Sequence, residues 1–116
     1  MAVSDHLRIA STELLKAADL VKQDIEHLRR EGSDIGRSIN NQVSDLAKQA
    51  RYHENELRGI GSGQASQIHA IIQRIQQDIA RKRSDIRTHQ TRIDAMIRER
   101  QNLVNELESK ARTVMP

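Results

Sequence analysis

Apolar residues recur every three or four positions for most of this chain's length, and that spacing limits the fold more than any other feature. From the N-terminus they run Val3, Leu7, Ala10, Leu14, Ala17, Val21, Ile25 and Leu28. After Gly32 they continue Ile35, Ile39, Val43, Leu46 and Ala50, and resume at Leu57. A second run follows through Ile68, Ile72, Ile75, Ile79, Ile86, Ile93, Ile97, Val104, Leu107, Ala111 and Val114. Spacing of this kind gives an amphipathic helix one apolar stripe. Two helices of more than fifty residues are therefore expected.

The stripe passes through "RREGSDIGRS" (residues 29–38) without losing phase, although Gly32 and Gly36 lie inside it. A helix break would normally reset the phase, so the first helix is expected to continue and a three-helix division at Gly32 is disfavoured. The strong breaker is "RGIGSGQ", residues 58–64. Gly59, Gly61 and Gly63 remove too much helix propensity for the helix to continue, and they permit the left-handed conformations of a tight reversal. Ser62 is placed to cap the second helix. Folding at Ile60–Gly61 brings the stripes face to face: Leu14 opposite Leu107, Ile25 opposite Ile97, Ala50 opposite Ile72. Two consecutive steps of four occur near Val21–Ile25 and near Ile39–Val43, and these pull the period back toward that of a straight helix. The expected fold is all-α: one antiparallel two-helix hairpin over residues 1–116, coiled-coil-like. Its first helix is expected at 4–58, its turn at 59–63 and its second helix at 64–114. Two such hairpins are expected to assemble as a four-helix bundle.

Composition agrees with a thin seam. Of 116 residues, 30% are charged and 36% hydrophobic, and Tyr52 is the only aromatic residue. Aromatic side chains supply much of the area buried in compact cores, so a broad core is not expected. Two helices alone support only a marginal core. Apolar residues off the seam, Ile9, Leu20, Ile71, Met96 and Leu103, form a candidate partner-contact stripe. The expected partner is a second copy, as a homodimer, or another helical protein. Gly32, level with His89 and Gln90 in this register, marks a point where a large side chain or a further helix comes close.

Signals for chemistry are sparse. The chain has no cysteine, which excludes disulfides and thiolate chemistry and fits a reducing compartment. His53 and His69 fall near each other beside the turn, with Glu54 and Glu56 close by, a donor set that suits zinc. No fixed spacing such as HExxH accompanies them, so no metal and no cofactor are expected. No catalytic constellation is recognisable, and the glycine cluster lacks the lysine and serine or threonine of a phosphate loop. A non-enzymatic role is therefore expected. Residues 1–60 carry 9 basic and 10 acidic side chains; residues 61–116 carry 10 and 6. The densest basic stretch, "RKRSDIR" with Arg81, Lys82, Arg83 and Arg87, has the charge to follow phosphates. Asp78, Asp85, Asp94 and Glu99 interrupt it and no aromatic residue is present to stack on bases, which disfavours nucleic acid. No membrane-length apolar run and no conventional signal peptide are present. A cytoplasmic location, or secretion without a classical signal, is expected.

A cysteine-free chain of about this length with a glycine-bearing helical reversal resembles the WXG100 class of small secreted partners. Here the reversal reads Gly59-Ile60-Gly61 in place of that class's Trp-x-Gly, and the arms are longer. The resemblance implies a bacterial secretion partner that escorts a larger helical substrate. Hairpin arms of aminoacyl-tRNA synthetases and cytoskeletal or phage coiled coils look similar for the same physical reasons. The expected function is protein–protein interaction, as an adaptor, chaperone-like partner or structural spacer.

Overall fold

Two α-helices account for nearly all of the computed structural model, which describes residues 2–59 and 62–114. Helix α1 is Ala2–Leu57, 56 residues, and α2 is Ser62–Val114, 53 residues. They form an antiparallel helical hairpin, and no strand occurs among the described residues. α1 runs unbroken through Gly32 and Gly36, so the glycines do not divide it. Its end is tightened by two i→i−3 bonds, Arg58 N–H to the Asn55 carbonyl (3.2 Å) and Gly59 N–H to that of Glu56 (3.1 Å). Among the described glycines none has a positive φ, so Gly59 does not use the left-handed conformation expected of the turn. Gly63, expected in the turn, lies in the first turn of α2. Gly61 and the expected axis at Ile60–Gly61 lie outside the described residues. Thr12, Thr88 and Thr113 each donate to the carbonyl four residues earlier, at 2.8, 3.1 and 2.9 Å. Their hydroxyls are thus satisfied within the helix.

Packing divides the chain into two units, Met1–Gly32 with Thr91–Pro116, and Ser33–Gln90. In the first, Ala18, Ile25, Leu28, Val104 and Ala111 are buried, and Val21, Ile97 and Leu107 pack against the cluster of Ala18, Ile25 and Val104. In the second, the buried residues are Ala50, Ile68, Ile72 and Ile75. No described large side chain is less than 2% exposed, so the seam is thin in both units.

The seam differs from the expected stripe at its N-terminal end. Val3 is 72% exposed and Ala10 is also exposed, whereas Ser11 is 2% and Ala18 1% exposed. Seam positions in α1 therefore run Leu7, Ser11, Leu14, Ala18, Val21, Ile25, Leu28, Gly32, Ile35. These are alternating steps of four and three. The double step expected at Val21–Ile25 disappears, and only the one at Ile35–Ile39–Val43 stays. Ser11 is tolerated in the seam because its hydroxyl donates to the Ala111 carbonyl at 3.1 Å. A buried hydroxyl with a partner avoids the desolvation penalty. Ser11, Ala18 and Ala111 are small, which permits a close approach of the two helices at these levels.

Candidate functional site

The seam residues define two flanks. With heptad letters a and d for seam positions, the residue preceding an a position (g) lies on one flank and the residue following a d position (e) on the other. Contacts across the pair confirm which flanks meet. In the first unit, the e residues Lys22 and Glu108 form an ion pair at 3.0 Å. On the g flank Asp24 accepts from Arg100 Nε, and Arg100 also donates to the Met96 carbonyl at 3.3 Å. In the second unit, Lys82 donates to Gln42 Oε1 at 2.8 Å, Gln42 being a g residue.

The expected partner-contact residues fall in both units, with Ile9, Leu20, Met96 and Leu103 in the first and Ile71 in the second. Ile9, 56% exposed, stands two residues from both Leu7 and Ser11. At about 100° per residue that places it on the side of α1 turned away from α2. In the first unit Leu20 (66% exposed), Met96 (half-buried) and Leu103 (43%) share the g flank with Ala17, beside the Asp24–Arg100 pair. Ile71, 40% exposed, is a g residue of the second unit. Exposed Leu15 and Tyr52 were not singled out by spacing. Tyr52 stands out only once the position of the seam is known.

Gly32 meets a different neighbour from the one expected. A Cβ built on it would lie 3.0 Å from Ile93 Cδ1 and 3.4 Å from Cγ2. Helical side chains lean toward their own N-terminus. Ile93 therefore covers the level of the residues before it, where His89 was expected. At Gly36 a Cβ would meet nothing within 4 Å.

Helical geometry also disperses the basic run. Arg81 lies 4.0 Å from Asp78, Lys82 reaches across to Gln42, and Arg83 and Arg87 fall on the opposite flank. His53 Nδ1 is buried and 3.3 Å from Glu56 Oε1, an ion-pair separation without hydrogen-bond alignment. His69 is exposed. Among the described residues no three His, Cys, Asp or Glu side chains are grouped to hold a metal. An open groove lined by Lys22, Ile25, Glu26, Arg29, Gln101, Val104 and Asn105 borders the first unit's e flank. Its charges are already engaged, Lys22 with Glu108 and Arg29 with Glu26 at 2.9 Å. No described helix is long and apolar enough to cross a membrane. No protein-family model matches the chain, and no curated protein or solved structure matches it either.

Proposed function

We propose that the chain is a non-enzymatic helical-hairpin module that acts by protein–protein association, as an adaptor, chaperone-like partner or structural spacer. The observation that supports this reading is the contrast between seam and surface. The described seam buries mostly Ala, Ile, Leu and Val in a single line, while Leu20, Leu103, Ile71 and Tyr52 remain 40–66% exposed. Fully burying one Leu or Ile is worth about 1.5–3 kcal/mol. These four side chains are already partly buried, so covering them with a partner adds roughly 3–6 kcal/mol, a large share of the stability of a small domain. Charged residues on both flanks and exposed apolar residues among them are the ingredients of a helix-to-helix contact.

Sedimentation equilibrium at micromolar concentration, with thermal unfolding followed over a hundredfold concentration range, tests the proposal. Association and a melting temperature that rises with concentration are expected. A fully helical monomer with a high, concentration-independent melting temperature refutes it.

A further inference from the structure

In the unit Ser33–Gln90 the two flanks carry opposite charge. On the e flank and the b positions beside it stand Arg51, Arg83 and Arg87, against one carboxylate, Glu54. No carboxylate lies within ion-pair distance of these arginines among the described residues. On the g flank and the adjacent c positions stand Asp34, Asp45, Glu56, Asp78 and Asp85, against Arg74, Arg81 and Lys82. The acidic flank also carries the unit's exposed apolar side chains. Tyr52 is 64% exposed and Ile71 40% exposed, and the two stand at one level of the helix pair, a c and a g position. The arginine flank has no large apolar side chain. Gly36, Ala47 and Ala80 leave it low, and the space where a Gly36 Cβ would stand is open.

We infer that a second copy of this chain docks its acidic flank, with Tyr52 and Ile71 as anchors, onto the arginine flank at Arg83 and Arg87. The inference rests on the protein–protein reading above and names its partner and faces. Charge decides the arrangement. Packing arginine flank on arginine flank, or acidic flank on acidic flank, sets like charges opposite each other, which opposes both two-fold contacts. Only the contact between unlike flanks pairs Arg83 and Arg87 with carboxylates and lays Tyr52 over small residues. Such a contact is heterologous. The docked pair still presents one free flank of each sign, so association does not close at two. Surface charges are screened by salt, so added salt weakens the association.

The test is sedimentation velocity of the full chain over a wide concentration range at low and high salt, with three variants. For the unaltered chain, the average mass rises past that of a dimer as concentration increases and falls on adding salt. Arg83→Glu/Arg87→Glu makes both flanks acidic, and Asp45→Arg/Asp85→Arg makes both basic. Each loses self-association by roughly tenfold or more in the association constant, and an equimolar mixture of the two regains it. Tyr52→Ala weakens association while leaving the helical circular dichroism signal unchanged. Circular dichroism of each charge variant, repeated with the milder Arg83→Gln/Arg87→Gln, separates loss of contact from loss of fold. A closed dimer indifferent to salt and to both charge variants overturns the inference and leaves the protein–protein reading standing. So does an unaltered chain that stays monomeric but is marginally stable alone and gains stability only from a different helical protein. A stable monomer at every concentration overturns both.

Discussion

Gly32 and Gly36 lie one helical turn apart in α1 and set up a matched pair of substitutions. Replacing Gly by Ala inside a helix gains about 1 kcal/mol of propensity at either site. At Gly36 nothing lies within 4 Å of the new methyl, so the full gain appears. At Gly32 the methyl would sit 3.0 Å from Ile93 Cδ1 and 3.4 Å from its Cγ2. Ile93 is only half-buried, so it yields, but turning it off its preferred rotamer costs about 0.5–1.5 kcal/mol. Gly32→Ala is therefore expected to leave stability within about 0.5 kcal/mol of its starting value, since the propensity gain and the rotamer cost are of similar size. Gly36→Ala raises it by about 1 kcal/mol, a shift of about 4 °C for a domain of this size. Ile93→Val removes Cδ1. In that background Gly32→Ala should regain most of the missing increment, giving a coupling of about 0.5–1 kcal/mol in the double-mutant cycle. Urea and thermal unfolding, run at low protein concentration and high salt to suppress association, supply the numbers. Equal gains at the two glycines, or no coupling between Gly32 and Ile93, would show that Gly32 is merely an unoccupied soft spot.

Ser11→Leu is expected to destabilise by about 1–3 kcal/mol, the usual cost of overpacking a closed site, whereas Ser11→Ala loses one hydrogen bond but gains propensity and should change stability by under about 1 kcal/mol; chemical denaturation ranks the two. The Asp24–Arg100 pair is partly exposed, with side chains 49% and 29% accessible, so a double-mutant cycle to Ala should give a coupling of about 0.2–1 kcal/mol that shrinks on adding salt. None of the described residues in 29–49 or 76–103 is fully buried. Amide hydrogen exchange should therefore be fastest there relative to Ala18–Leu28, Ile68–Ile75 and Val104–Ala111, even though those segments lie mid-helix.

The helical period, the reversal near the glycine cluster and continuity through Gly32 were legible because each depends on local spacing. The errors arose where a residue's environment decides its place. A pattern reading prefers Ala10 and Ala17 to Ser11 and Ala18, since alanine is apolar and serine is not. Only the Ala111 carbonyl opposite makes Ser11 an acceptable seam residue. The same one-residue shift produced a second double step that the helix does not contain. Pairing residues by backbone level put His89 opposite Gly32, because level alone ignores the lean of helical side chains toward their own N-terminus. The candidate interaction surface was less legible still. Ile9 and Leu20 are exposed apolar residues about three turns apart on α1, and the seam must be located before it is clear that both lie off it. Tyr52 gains its meaning only from standing level with Ile71.

Polar residues on the α2 seam bear on register more than on stability. Lys82, His89 and Arg100 occupy d positions where the rest of the stripe carries Ile, Leu and Val. Each is half-buried, so each subtracts apolar area from the seam. What they add is position dependence. Lys82 reaches Gln42 within one unit, and Arg100 reaches Asp24 within the other. A slip of α2 by one heptad keeps d opposite the seam, and an all-isoleucine stripe would tolerate it. Here the slip carries Arg100 and Lys82 away from their acceptors and strips Ser11 of the Ala111 carbonyl. The stranded, buried Ser11 hydroxyl costs about 1–3 kcal/mol, and the two partly exposed contacts at Lys82 and Arg100 add about 0.2–1 kcal/mol each. Together these losses oppose the slip, while the apolar contacts can re-form one heptad away. The same logic fixes the flanks, because e and g residues keep their partners only in this register. A chain with Lys82→Ile, His89→Ile and Arg100→Leu should therefore melt higher, as apolar residues replace half-buried polar ones. Cysteine pairs placed for the native register and for the one-heptad slip should then both cross-link in that variant. In the unaltered chain only the native pair should. Exclusive native cross-linking in the apolar variant would mean that the turn alone sets the register and that these polar residues do not.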